Sequence, residues 1–318
     1  MKKAALSVMI ITVLSKFVGF AREMVLSYVY GASALTDAYL ISRTVPSVIF
    51  SFVSAGIATG FIPMYSRILA EHGKDEADRY TSNVSNALLI LASIVAVFVL
   101  LFAEPVVKVF ALGFSGDTLD MAITLTRISV FGVFFTGLAN IFSGYLRLHG
   151  DFIIPALIGF PMNFVIIVSL FLSSRTNIYV LAIGTVVSTA SQVLLCIPFL
   201  AKADYRHRLV LDMSNEHLKV MVLLALPVIM GTAVNDINVL VDRTMASQLA
   251  VGGISALNYA KHLNGFVQGL FVVSVTTVLY PMISKMAAEG NLKSLKAHLA
   301  EAMAMVNLLV VPATAGAM

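Results

Sequence analysis

The chain has 318 residues, of which 59% are hydrophobic and 12% charged, with a formal net charge of +4 and a mean hydropathy of +0.92. The charged share is about half that of soluble domains, and apolar runs of the ~20 residues needed to cross a bilayer recur along nearly the whole length. A soluble enzyme or binding module is therefore excluded, long unbroken runs exclude a transmembrane β-barrel, and an all-α polytopic membrane protein is expected.

The first apolar run, from Ala4 to about Tyr30, is too long for a signal-peptide core and lacks a small-residue cleavage site, so it reads as a retained helix. Further helices are expected at about 34–64, 82–103, 120–147, 153–174, 178–200, 217–247, 253–283 and 299–318, nine in all. The first six form an N-terminal lobe, 1–200. Residues 201–216 form a connection, and 217–318 open a second lobe. "AEHGKDEADRY" (70–80) reads as a solvated connection containing a short interfacial helix. Pro46, Pro161, Pro198 and Pro227 fall inside expected helices, as kinks or hinges. The lone Cys196, in an apolar run, reads as a packed core residue and excludes a disulfide or metal-thiolate framework.

Basic residues favour alternate connections. Lys2, Lys3, Arg67, Lys74, Arg79, Arg147, Lys202, Arg206, Arg208, Lys285, Lys293 and Lys296 lie on one side, against Lys108 and Arg175 on the other. The positive-inside rule then places the N-terminus and the basic connections in the cytoplasm. These loops account for most of the net charge, and no basic stripe interleaved with aromatics points to nucleic acid.

"FIPMYSRILAEHG" (61–73) is echoed by "LYPMISKMAAEG" (279–290), with Pro63, Met64, Ser66 and Glu71 answering Pro281, Met282, Ser284 and Glu289 at one constant offset. "ALTDAY" (34–39) and "SALNYA" (255–260) hold equivalent places upstream. Helices seven and eight thus repeat one and two in the same orientation, a parallel repeat about an axis along the membrane normal. Two six-helix lobes are expected, the second truncated, because the chain ends at "VVPATAGAM" within its third helix.

Lys16, Arg22, Arg43, Arg127, Arg243 and Lys261 fall inside expected spans together with Glu23, Asp37, Asp236 and Asp242. Each such charge costs roughly 2.5–3.5 kcal/mol at a bilayer centre. Lys16 and Glu23, like Asp236 and Arg243, are seven apart and share a helix face. A net cationic cavity between the halves is expected, arginine favouring a phosphate or carboxylate substrate such as a lipid-linked pyrophosphate. The competing reading is ion pairs that lock helices, with Arg127 and Asp37 snorkelling from helix ends. "AVNDINVLVD" (233–242) groups Asn235, Asp236, Asn238 and Asp242. That group suits a hard monovalent cation or a proton, and equally helix-pairing hydrogen bonds. No G-x-x-x-x-G-K-[ST], H-E-x-x-H or Cys/His cluster is present, and His149, His207, His217 and His298 lie in or beside basic connections, so a transporter without a cofactor is expected rather than an enzyme.

"SKFVGFARE", "YGASALTDAYLISRTVP", "FIP", "VDRTMASQL" and "SALNYAKHLNGF" resemble the lipid II flippase family (MurJ, also MviN) of the multidrug/oligosaccharidyl-lipid/polysaccharide exporter superfamily. The resemblance covers essentially the full chain. It implies alternating-access transport of undecaprenyl-pyrophosphate-linked peptidoglycan precursor across a bacterial inner membrane by a monomer. The implied substrate-binding residues are Lys16, Arg22, Glu23, Asp37, Arg43, Arg243, Lys261 and His262, and Asp242 resembles an aspartate that helps to bind sodium in some members. Departures are Lys16 where arginine is usual, His262 for an eighth-helix arginine, and "VPSVIFSFVSAGIATGF" (45–61) where many members carry arginines and an acidic-Gly-Ala motif. They leave open another lipid-linked saccharide or a cation-coupled drug antiporter; a structural membrane protein with a vestigial cavity is a further alternative.

Cysteine labelling tests the orientation. A cysteine at position 116 should react with an impermeant reagent added outside intact cells and one at position 74 should not; the opposite pattern would invert the topology.

Overall fold

The computed structural model describes residues 2–268 and 292–317, with positions 283 and 286 between them. Every described element is helical: α1 (Lys2–Tyr30), α2 (Ala34–Gly56), a π turn (Ile57–Phe61), α3 (Ile62–His72), α4 (Lys74–Leu101), α5 (Ala103–Phe110), α6 (Gly116–Ser129), α7 (Gly132–Leu148), α8 (Ile153–Leu157), α9 (Gly159–Arg175), α10 (Tyr179–Lys202), α11 (Glu216–Leu249), α12 (Gly253–Val267) and α13 (Leu292–Ala317). The chain divides into two units, Met1–Leu257 and Asn258–Met318. Contacts draw α11 into the first unit because it packs along α2 and the π turn.

Seven helical stretches among the described residues are long and apolar enough to span a membrane: Ala34–His72, Lys74–Leu101, Gly116–Leu148, Ile153–Arg175, Tyr179–Lys202, Glu216–Leu249 and Ser294–Gly316. The 29-residue α1 precedes them. Most of the expected eighth span beyond Phe266, together with Pro281, Met282, Ser284 and Glu289 of the repeat, lies outside the described residues.

Several expected helix limits shift. In the 70–80 segment, whose residues 70–73 and 75 are exposed, helix runs through His72, turns at Gly73 with φ of 82°, and resumes at Lys74. Only glycine adopts that backbone without strain. The expected fourth helix breaks at Val130–Phe131 and the fifth at Ile158, and a short α5 fills part of the 104–118 connection. Pro161 consequently lies in the first turn of α9, where proline is tolerated, whereas Pro46, Pro198 and Pro227 are interior.

In the first unit α1 packs on α9, α10 lies against both α7 and α9, α4 packs on α3 and α7, and α2 packs on α6 and α11. α4 shows the logic of a lipid-facing helix. Ala92, Ala96 and Val99 are buried, while Ile90, Leu91, Ile94, Val97, Phe98 and Leu101 are exposed, so small residues bring the helices close and large ones meet acyl chains. The π turn sits in "GIATG" (56–60), a G-x-x-x-G stretch. A Cβ on Gly60 would come within 2.5 Å of Met221 Cγ and 2.8 Å of its carbonyl oxygen, so the bare backbone is what lets α11 approach there.

Around the π turn and the end bearing the basic connections the core is aromatic, with Phe61, Tyr65, Tyr80 and Tyr145 buried. Asp78 is buried among them and is fully engaged: Tyr145 Oη donates at 2.9 Å, Tyr65 Oη at 3.2 Å and Lys74 Nζ at 2.9 Å. A buried carboxylate is tolerated when donors and a countercharge surround it in this way. Cys196 is buried in the same core, as expected.

Candidate functional site

The charges of α1 are positioned by its approach to α9. A Cβ on Gly159 would lie 2.4 Å from Ser15 Oγ, so glycine there permits the close crossing. Seven residues along α1 from Ser15, Arg22 is 8% exposed and Glu23 3%. The Arg22 guanidinium donates to Glu23 Oε1 from Nη2 at 2.5 Å and from Nε at 3.2 Å, and to Asn163 Oδ1 of α9 from Nη1 at 3.0 Å. Asn163 Nδ2 donates to the Gly159 carbonyl at 2.8 Å, which fixes which end of its amide faces the arginine. Among the described residues these bonds use three of the five N–H groups of a guanidinium and leave one on each terminal nitrogen. Two such groups are the fork that grips a phosphate or carboxylate.

On α2 the half-buried Arg43 lies over the Tyr39 ring, its Cζ 5.5 Å from the centroid, and the buried Tyr39 shares a hydrogen bond with Thr185 Oγ1 at 3.0 Å. On α11 Arg243 Nη1 donates to the Ile254 carbonyl at 3.1 Å. Arg22, Glu23 and Arg43 interact electrostatically, and Arg243 in turn senses Arg43, Asp37, Asp242 and Glu23. Three guanidinium groups and three carboxylates are thus gathered from α1, α2 and α11. Within this set the charges balance; Lys16 is exposed on α1, and Lys261 and His262 are exposed in the second unit. Glu23, which shares a face of α1 with Lys16, also pairs with Arg22.

Asp37 does not snorkel. It is 2% exposed, and its carboxylate accepts from the Gly252 N–H at 2.8 Å, the Ser255 N–H at 2.7 Å and Ser255 Oγ at 2.7 Å. α12 starts just after Gly252, which has no side chain to cap it, so Asp37 supplies the acceptor and the favourable charge at the helix N-terminus. Gly252 itself has φ of 85°, and a Cβ there would lie 2.8 Å from the Ala32 carbonyl oxygen. Beside this cap, Thr244 Oγ1 donates to the Val109 carbonyl at 2.9 Å and the Gly113 N–H to Ser247 Oγ at 3.0 Å. A Cβ on Gly113 would lie 2.0 Å from the Ser247 carbonyl oxygen. At the end opposite the basic connections the α11–α12 turn thus packs against α2 and the residues around α5, beside a cavity of about 120 Å³ lined by Asp37, Phe114, Ser115 and Thr118.

Asp236 accepts a short hydrogen bond from Ser51 of α2, and Asp242 neighbours Arg243. Among the described residues no group of three or more His, Cys, Asp or Glu side chains could hold a metal. Arg127 is exposed, near the end of α6. Sequence reasoning missed Asn163, Ser51 and Ser255; of these only Asn163 carried a signal, as an amide inside an apolar helix.

Fold and site together define an α-helical membrane protein that gathers buried and half-buried charges from its first, second and eleventh helices. Residues 26–318 match the family model "Lipid II flippase MurJ", and the chain belongs to that family. It is 28% identical to "Probable lipid II flippase MurJ" of Buchnera aphidicola subsp. Baizongia pistaciae, over 98% of this chain and 62% of the relative. With "Lipid II flippase MurJ" of Burkholderia cenocepacia the figures are 26%, 98% and 62%. A solved structure of "Lipid II flippase MurJ, inward closed conformation" superposes with a TM-score of 0.76 at 25% identity, covering 96% of this chain and 63% of the other. An inward-facing multidrug MATE transporter of the MOP superfamily shares the fold, with a TM-score of 0.67 at 19% identity over 97% of this chain and 72% of the other. The chain thus spans about three fifths of the length of the curated relatives it matches.

Replacing Asp37 by Asn should halve its acceptor capacity and remove the charge that favours the start of α12, at a cost of roughly 1–3 kcal/mol. Amide hydrogen exchange at residues 250–256 should accelerate relative to α2; unchanged protection there would show that the carboxylate does not hold the turn.

Proposed function

We propose that the protein to which this chain belongs flips a lipid-linked anionic saccharide, lipid II, from the inner to the outer leaflet of a bacterial inner membrane by alternating access. The observation that carries the reading is Arg22: a buried guanidinium, fixed by Glu23 and Asn163, with two N–H groups uncommitted. Family membership and the names of the relatives supply the substrate. In this reading Arg22 grips the pyrophosphate, Glu23 and Asn163 hold the fork in orientation, and Arg43 and Arg243 add attraction from α2 and α11. Lys16, Lys261 and His262 are further substrate contacts. The Asp37 cap and the Gly113–Ser247 contact form the outer closure, which opens to release the lipid. The protein works as a monomer with its N-terminus in the cytoplasm. Asp242, with Asp236 nearby on α11, couples the cycle to sodium or protons through neutral oxygen ligands.

Each charge-assisted contact to the pyrophosphate contributes roughly 1.5–3 kcal/mol, so losing one weakens binding by about ten- to a hundredfold. In the full-length protein Arg22→Ala should abolish flipping while membrane abundance is kept, and Arg22→Lys should recover only part of it, because an ammonium lacks the planar fork. Full rescue of flipping in Arg22→Ala with Glu23→Ala would falsify the substrate contact and leave a helix-locking ion pair.

Asp242→Asn separates the coupling role from binding. It should abolish the dependence of flipping on the ion gradient without altering binding of the lipid; transport with its ion dependence intact removes Asp242 from the coupling site.

A further inference from the structure

The connection between α10 and α11 is pinned to α4 through main-chain groups. Lys74 Nζ donates to the Asp204 carbonyl at 3.0 Å, and Ser82 Oγ accepts from the Arg208 N–H at 3.1 Å. Asn86 Nδ2 donates to the carbonyls of Arg208 at 2.9 Å and Val210 at 2.8 Å. Asn83 makes a reciprocal pair with Asp212, Nδ2 to its carbonyl at 2.9 Å and Oδ1 from its N–H at 2.7 Å. The Asn83 amide thus serves Asp212 as a neighbouring strand would. Arg208 also pairs with Asp75, and the Val210 N–H closes a tight turn onto the Arg208 carbonyl at 2.9 Å, with Leu209 at its centre.

What this ribbon displays is apolar. Leu209 is 95% exposed, Leu211 50% and Met213 64%. Asn86, where the ribbon is held highest on α4, stands one helical turn before Ile90, the first of the lipid-facing residues of that helix. The ribbon therefore continues the apolar belt of α4 at its edge, with the exposed cations Lys202 and Arg206 alongside, the latter 3.8 Å from Asp204. An extended backbone approaches a low-dielectric layer at lower cost where its polar groups are satisfied inside the protein, and Ser82, Asn83 and Asn86 of α4 do this at Arg208, Val210 and Asp212.

We propose that residues 203–215 are a membrane-interface anchor. Leu209, Leu211 and Met213 dip into the headgroup–acyl boundary of the adjoining leaflet, and Lys202 and Arg206 lie among its phosphates. The occupant is the bilayer itself, whichever way the protein faces and whatever it carries.

The 318 residues contain no tryptophan, and with any tryptophan elsewhere in the full-length protein replaced by phenylalanine, single substitutions report on their own surroundings. Leu209→Trp, Leu211→Trp and Met213→Trp, each made in the full-length protein and in vesicles of phosphatidylcholine with phosphatidylglycerol, should emit blue of a water-exposed indole. Lipids brominated near the headgroup end of the acyl chain should quench them by about twofold or more, as expected for a side chain 5–10 Å into the interface. Full quenching by aqueous iodide with none by bromolipid would place the ribbon in water. Shielding from both quenchers would place it against protein, and either result overturns the proposal. Asn83→Ala with Asn86→Ala, added to Leu209→Trp, should weaken the bromolipid quenching while the protein still elutes as a folded species. Unchanged quenching there would overturn the role given to the α4 amides.

Discussion

Inside a bilayer a polar group has no water to fall back on, and every one that the chain carries inward must be met by another part of the chain. That constraint accounts for the pairings seen here. Arg22 is surrounded by Glu23 and Asn163, Asp78 by two phenols and an ammonium, and Asp37 by two N–H groups and a hydroxyl. Each partner set ties elements together, so the solution to a local solvation problem is also the tertiary structure: α1 to α9, α3 and α7 to α4, and α2 to the α11–α12 turn.

The three sets differ in what they leave over. Asp37 and Asp78 are saturated by their neighbours and hold shape. Arg22 is held on one side by a carboxylate and an amide and keeps two donors for something else. A buried arginine whose orientation is fixed before any ligand arrives loses little freedom when one binds, which is the condition for strong and selective capture of a planar or tetrahedral anion. The balanced charge of the gathered set is consistent with this arrangement, since an uncompensated guanidinium in a low dielectric would be costly whenever the site stood empty.

Much of this was legible in the residues. Charges inside apolar runs announce themselves, so Arg22, Glu23, Arg43, Asp37 and Arg243 could be named from sequence, and the long apolar runs gave the spans. What they contact could not be read. The helix that Asp37 caps begins more than two hundred residues later, and Asn163 is an amide with many cheaper explanations. The helix ends expected near 64 and 82 fell short because in a membrane protein polarity marks depth rather than loss of helix; α3 and α4 simply continue past the hydrocarbon layer. The breaks at Val130 and Ile158 were hidden for the converse reason, that hydropathy runs unchanged across them.

The π turn at Ile57–Phe61 has a consequence for the lengths this segment tolerates. A π turn is an α-helix with one residue too many, and each residue of an α-helix advances the helix by about 100°. The turn absorbs that surplus locally, at a smaller rotation per residue, so removing one residue between 57 and 61 would let the helix close into an unbroken α form that keeps Tyr65 toward Asp78 and Met64 and Ile68 toward the core. The same deletion in an ordinary α turn would swing everything beyond it by about 100° and change which face of the helix is the inside.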